Sequence, residues 1–326
     1  MKHLKLLISL IVLASVLLAA CGGGAAPAPA TEAPAAPATE APAAGPVSGG
    51  IVVIGSPQEP GTLNPALASA SIEDAISSFI IEGLVMVDDQ GKYAPVLAES
   101  LPEVSEDGLV VTYKLKKDVK FSNGDAFTCA DVKFTLDAIL SDLSQASTSG
   151  YEDIDSLECT DDYTAVVTFA QVYAPYLRLF SYIIPQSAGD MAAMDTWEFN
   201  RMPVGTGPWM LQEWKAGDSL TLVKNPNYRE AGKPYLDSLI VRILPSRETG
   251  MQLLGTGEIQ VLWDLIEADF PALAEMKDKG VSYGSAVTGE NEFLVFNFAD
   301  PTVDAPEDPA AAPHPILSDL RVRQAL

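Results

Sequence analysis

The chain has 326 residues, 48% of them hydrophobic, with 20 Lys or Arg against 44 Asp or Glu, only two His and a formal charge of -24. That length allows roughly two domains with a sizeable core. The charge argues against nucleic acid as a partner, because neutralising phosphates takes clustered Lys and Arg that are absent here; the acidity by itself signals a soluble surface rather than a cationic ligand.

The first element is a targeting segment, residues 1–20. Lys2 and Lys5 precede an apolar run from Leu6 to Ala20, shorter than the roughly 20 residues a membrane-spanning helix needs, so it reads as a signal peptide. It ends in Leu18-Ala19-Ala20-Cys21 followed by Gly22 to Gly24, which resembles the lipobox of bacterial lipoproteins. That resemblance implies cleavage before Cys21 and lipidation of its thiol, placing the protein on the extracytoplasmic side of the cell membrane, anchored without spanning it. Residues 21–50 then collapse to Ala, Pro, Thr, Glu and Gly, with PATEAPAA at Pro29–Ala36 and again at Pro37–Ala44. Such a composition cannot bury enough apolar surface to offset its ordering entropy, so the segment is expected to be a disordered tether.

With Cys21 assigned to lipid, Cys129 and Cys159 are the remaining cysteines. In an exported chain they form either one structural disulfide or two buried thiols; sequence does not bring their Cα atoms into range.

The folded body begins at Ile51–Ile54, an apolar run too short for a helix and bounded by Gly and Pro, hence a buried strand. Val111, Tyr113 and Leu115 alternate with Thr112, Lys114 and Lys116, the pattern of a half-exposed antiparallel strand. Asn123-Gly124 turns the chain, and Thr128 with Asp131 has the spacing of a capping box opening a helix. Val132, Leu136, Ile139 and Leu140 are predicted to share one face of that helix. A strand over Val166–Phe169 follows Asp161-Asp162. The acids Glu152, Asp153, Asp155, Asp161 and Asp162 lack the one-three-five spacing of a calcium loop and read as a solvated edge.

Pro203–Tyr228, PVGTGPWMLQEWKAGDSLTLVKNPNY, packs Gly205, Gly207, Pro208, Gly217 and Pro226 around two short apolar runs. The backbone must turn, run extended, turn and run extended again, which is a hairpin. Gly205-Thr206-Gly207 is no phosphate cradle, since no Lys-Ser/Thr follows and a strand, not a helix, comes next. Leu239–Leu244 is apolar except for Arg242 and predicts a strand buried on both faces. Ser246 caps a helix through about Leu254, Gly255–Glu258 turn it, and Ile259–Trp263 is the next strand, giving a right-handed parallel crossover. Ligands of open α/β sheets gather at the carboxyl ends of strands, so Trp263 and Asp264 are candidate ligand-binding residues. Trp263 serves either as a stacking platform or as a core aromatic. A helix over Asp269–Lys279 and a strand over Phe293–Asn297 are expected next. Ser318 is expected to cap a terminal helix, which runs to Leu326 with no stop signal.

Taken together, Glu59–Pro65, Ile80–Pro95, Leu97–Ser100, Phe121–Val132, Pro203–Tyr228, Phe293–Asn297 and His314–Leu326 resemble, in order, the motifs of the family-5 extracellular solute-binding proteins. These are the oligopeptide-, dipeptide- and nickel-binding receptors of bacterial ABC importers. This chain departs from their pattern at Asn64, Cys129 and Gln260, where Asp, Ala and Asp are usual. The resemblance implies an α/β, periplasmic-binding-protein-like fold of two lobes (type II) with an extra α+β subdomain. The first lobe would comprise residues 51–70 and 195–285, the inserted subdomain 71–194 and the start of a truncated second lobe 286–326. It implies ligand-binding roles for Ser69 and Ser71, just beyond the Glu59–Pro65 loop, and for Phe293 where the chain crosses between lobes; Ser69 and Ser71 alternatively only open the next helix. The function implied is capture of peptides or similar small solutes by a monomer, for delivery to a membrane permease, with no cofactor and no metal.

The residues themselves supply no G-x-S-x-G elbow, CxxC, HExxH or Walker loop, and no catalytic His. Two rivals remain: an exported lipoprotein hydrolase using carboxylates, and a non-transport receptor or adhesin on the same fold.

Overall fold

The computed structural model describes residues 47–284, 297–300, 302 and 312–325. The signal peptide, Cys21, nearly all of the tether and Phe293 therefore lie outside the described residues.

In chain order the elements are β1 (Ile51–Ser56), helix α1 (Ser71–Ser77), β2 (Val85–Val87), β3 (Tyr93–Pro95), β4 (Glu103–Val104), β5 (Val110–Lys114), α2 (Cys129–Ile139), β6 (Ile154–Asp161), β7 (Thr164–Phe169), β8 (Trp209–Lys215), β9 (Ser219–Lys224), β10 (Ser238–Ile243), α3 (Arg247–Thr256), β11 (Val261–Leu262), α4 (Phe270–Glu275) and α5 (Leu320–Ala325). Two sheets organise them. The first has the order β11-β1-β10-β9-β8; β1 pairs parallel with both β10 and β11, whereas β10, β9 and β8 run antiparallel. The second, β4-β5-β7-β6, is wholly antiparallel, and β2 and β3 form a separate hairpin.

The expected crossover from β10 through α3 to β11 is present, but β1 is inserted between its two strands. Parallel pairing is with β1 on either side, so β1 sits second from the edge, between two strands that the later segment supplies. Expectation and structure differ in detail elsewhere too. Strand β10 is not buried on both faces: Leu239 and Val241 are buried, Arg242 is exposed and Ile240 only half-buried. Helix α3 runs two residues past Leu254, and its C-terminal turn is made by Gly257 in the left-handed region rather than starting at Gly255. The second strand of the crossover shrinks to Val261–Leu262. Leu140 falls just past the end of α2 and is exposed, leaving Val132, Leu136 and Ile139 as that helix's buried face. The terminal helix begins at Leu320, preceded by Asp319, whose carboxylate accepts from the Arg321 N–H at 2.9 Å in place of a Ser318 cap.

Apolar side chains gather in three clusters. The largest joins the antiparallel sheet to α2 and includes Tyr113, Phe121, Phe127 and Phe180, all fully buried. Phe180 meets Tyr113 and Tyr151 edge-on with centroids 6.2 and 5.5 Å away, the geometry the ring quadrupoles favour. The second packs α1 and the loop after β1 against β8, β9 and β10. The third lies under α3 and α4. Val111, Tyr113 and Leu115 point into the first cluster as their alternation predicts, each large apolar side chain contributing about 1.5–3 kcal/mol on burial.

Cys129, the first residue of α2, is bonded to Cys159 of β6, with Cα atoms 5.7 Å apart and a sequence separation of 30. Closing a loop of that length stabilises by about 3–4 kcal/mol in the chain-entropy account. The Asp131 carboxylate accepts from the Thr128 N–H at 2.8 Å, the backward-reaching half of the expected capping box.

Pro203–Tyr228 forms the β8–β9 hairpin, and its glycines have a second reason to be there. A Cβ on Gly205 would sit 2.0 Å from the Ile80 carbonyl oxygen, and one on Gly207 would sit 2.7 Å from it. The Gly207 N–H donates to that same oxygen at 2.8 Å, so the turn is pressed onto the chain just after α1. Thr206, between them, donates to the Glu82 carboxylate at 3.0 Å, and Arg229 grips that carboxylate with two nitrogens, one at 2.9 Å. The pair is largely buried, yet each remaining charge is met, which is the condition under which such a pair is tolerated.

Candidate functional site

The carboxyl ends of β1 and β11 and the exposed side of α1 enclose a cavity of about 270 Å³ lined by Ser56, Gln58, Ser71, Ile72, Ala75, Trp263 and Asp264. Parallel pairing brings these ends together, because β1 and β11 run side by side and both deliver their next residues to the same edge. Trp263 is tied to β1 by its N–H, which donates to the Gly55 carbonyl at 3.0 Å. Its indole stacks on Phe79 with centroids 6.0 Å apart and planes 13° from parallel. Trp263 is thus both packed against the core and half-open to the cavity.

Asp264 has a φ of 62°, a left-handed conformation that Asp tolerates better than most residues. Arg247, at the start of α3, holds it there. Its Nε donates to the Asp264 carbonyl at 2.6 Å, and the guanidinium lies 3.7 Å from the Asp264 carboxylate and 3.5 Å from that of Asp269. The cation beside the cavity is therefore shared between two acids, and the cavity wall itself carries one charged side chain, the Asp264 carboxylate.

The loop leading to α1 is fastened by one buried acid. Glu73 Oε1 accepts from the N–H groups of Gly61 and Thr62 at 2.8 and 3.2 Å, and Oε2 from those of Ser69 and Ala70 at 2.7 and 3.0 Å. Burial pushes this carboxyl up, but the four donors outweigh it and hold it below its ordinary value. The neighbouring Asp74 is pushed up, first by burial and then by the Glu73 charge.

Of the residues singled out from sequence, Ser71, Trp263 and Asp264 line one cavity. Ser69 does not; its amide is spent on Glu73. Phe293 and Cys21 lie outside the described residues. Gly205–Gly207 lean on Ile80, next to the Trp263 partner Phe79, without lining the cavity. Ser56, Gln58, Arg247 and Glu73 were not anticipated. The strand-end rule that selected Trp263 applies equally to β1 and would have pointed to Ser56 and Gln58; nothing in the sequence distinguishes Arg247 or Glu73 from ordinary first-turn charges.

A mixed sheet whose parallel strand ends and helix frame a small, mostly uncharged hollow is a usual setting for ligand sites in open α/β sheets. Residues 92–326 match the profile of the bacterial extracellular solute-binding proteins, family 5, middle region, and the chain belongs to that family. It is 30% identical over 250 residues to the glutathione-binding protein GsiB of Escherichia coli O1:K1, covering 76% of this chain and 48% of that one. It is 29% identical over 266 residues to the oligopeptide-binding protein AppA of Bacillus subtilis, covering 79% and 47%. Among solved structures, AppA of B. subtilis in complex with a nonapeptide superposes with a TM-score of 0.63 over 69% of this chain and 46% of its own, at 29% identity. The fold is periplasmic-binding-protein-like, and the chain spans less than half the length of these relatives.

Proposed function

We propose that this chain is part of an extracytoplasmic receptor of an ABC importer, which captures a peptide or comparable small solute and passes it to a membrane permease. The observation that carries this reading is the cavity at the β1 and β11 ends, where Ser71, Trp263 and Asp264 meet beside a stacked aromatic pair. Its chemistry is that of holding rather than reacting: one aromatic face, two hydroxyls, an amide and a carboxylate, with the nearby guanidinium already bound to its own acids. A hydrolase reading has no support from a family of solute-binding proteins. Binding would draw together the lobes around the solute and present the closed form to the permease.

The test is a thermal-shift screen of the protein at its full natural length against di- to oligopeptides, glutathione, oligosaccharides and nickel-histidine. At a hundredfold excess over Kd a ligand raises stability by about 2.7 kcal/mol, so a saturable rise of several degrees with a peptide is expected. Turnover of an ester or glycan without any saturable rise would overturn the reading.

The leader and tether support attachment by lipid at Cys21. Mass spectrometry of the membrane-fraction protein is expected to show an acylated Cys21 at the mature N-terminus and a soluble, unacylated product for Cys21→Ser; an intact leader ahead of Cys21 would refute it.

A further inference from the structure

We propose that Asp264 selects solutes that carry a basic side chain, whose guanidinium or ammonium group docks between the Asp264 carboxylate and the Trp263 indole. The inference rests on the receptor reading above and names the charge of its solute. Among the described residues lining the cavity Asp264 alone is charged; Ser56, Gln58 and Ser71 supply polar atoms, and no Lys, Arg or His joins them. The one cation paired with this carboxylate among the described residues, Arg247, does not neutralise it. Arg247 spends its Nε on the Asp264 carbonyl at 2.6 Å, and its Nη2 stands 3.7 Å from the Asp264 carboxylate, outside hydrogen-bond distance. The same guanidinium lies 3.5 Å from the Asp269 carboxylate, so one positive charge faces two negative ones. Asp269 has a further donor in the Ile266 N–H at 2.9 Å. It is also the more covered acid, with 19% of its side chain accessible against 46% for Asp264. The surplus negative charge is therefore most open to a ligand at Asp264, in the cavity wall.

The carboxylate is also held in place. Trp263 is bonded to Gly55 on one side, and the left-handed backbone of Asp264, with φ at 62°, is fixed by Arg247 on its carbonyl. A group that docks there meets a charge that does not have to be ordered first. Covering the cavity with a solute strips water from a half-exposed carboxylate, which is unfavourable unless the solute brings an opposite charge. A basic side chain supplies that charge; a neutral one leaves the carboxylate uncompensated, and an acidic one is repelled. Trp263 acts in the same direction. Its indole lines the cavity while Phe79 stacks on it with centroids 6.0 Å apart, and an aromatic ring beside a carboxylate is a pairing that attracts guanidinium and ammonium groups.

Calorimetric titration of the full-length protein with Ala-Ala-Ala, Ala-Lys-Ala, Ala-Arg-Ala and Ala-Glu-Ala tests the inference, because these peptides share both termini and differ in one side chain. The Lys and Arg peptides are expected to bind about tenfold more tightly than Ala-Ala-Ala, and the Glu peptide more weakly than it. Asn tolerates a left-handed backbone as Asp does, so in Asp264→Asn the ratio between Ala-Lys-Ala and Ala-Ala-Ala is expected to fall to about twofold or less. Raising the salt from about 0.05 to about 0.5 M is expected to narrow the wild-type ratio, because a half-exposed pair is screened. The wild-type comparison and its salt dependence stand whether or not the variant folds. Equal affinity for the Lys, Ala and Glu peptides, or a Lys preference that survives Asp264→Asn, overturns the charge selection and leaves the receptor reading in place. An equal loss for every peptide in Asp264→Asn also overturns it, because that result assigns Asp264 to the solute's backbone or terminal amine. Saturable binding of none of these peptides overturns the peptide reading and this inference with it.

Discussion

Four backbone amides converge on the two oxygens of Glu73, and through them one side chain sets the path of residues 61–70 into α1. Because its folded pKa lies below the ordinary 4.5, the stabilisation it supplies is complete above about pH 4.5 and drains away as pH falls through the depressed folded value. Glu73→Gln keeps the shape but sets an NH₂ against two donors, so a loss of about 1–3 kcal/mol at pH 7 is expected. Urea denaturation checks it: the gap between wild type and variant should narrow between pH 5 and pH 3. A gap independent of pH would show that the carboxylate charge is not what holds the loop. Asn64, where the family usually has Asp, illustrates the same accounting. It is wholly buried, donates to Asn200 Oδ1 at 2.9 Å and accepts from the Ala66 N–H at 3.0 Å, so a neutral amide meets both needs without burying a charge.

At the scale of elements, the glycine-rich turn before β8 is a contact as well as a turn. Gly205→Ala would press a methyl group into the Ile80 carbonyl, and backbone on both sides resists moving. The expected cost is about 1–3 kcal/mol, read as a lower urea midpoint with an unchanged m-value; an unshifted midpoint would show that the hairpin slides freely on the segment after α1. Sequence announced the hairpin because Gly and Pro restrict the backbone locally, and it announced β5 because alternation is a local pattern. It misjudged β10 because an apolar run does not say which neighbour covers each face. It also misplaced helix ends at Leu140, Leu254 and Ser318 by a residue or two, where caps and tertiary contacts compete.

At the scale of the whole molecule, the site comes from segments some 200 residues apart. Trp263 and Asp264 were legible as strand-end residues, and Ser71 through the family's loop. Their meeting depends on β1 being inserted between β10 and β11. Arg247 gains its role only because the chain returns Asp264 and Asp269 to the start of α3. The Glu82–Arg229 pair, with Thr206 as third partner, ties the segment after α1 to the hairpin and to the segment after β9 in the same way.

Read alone, the amino-acid order settled what local chemistry can settle: an acidic chain, the principal turns and strands, and the family motifs. Which strands pair, which acid meets which cation and whether two cysteines bond were decided by the folded molecule. Those are relations between residues far apart in the chain, and no local preference of either partner specifies the other.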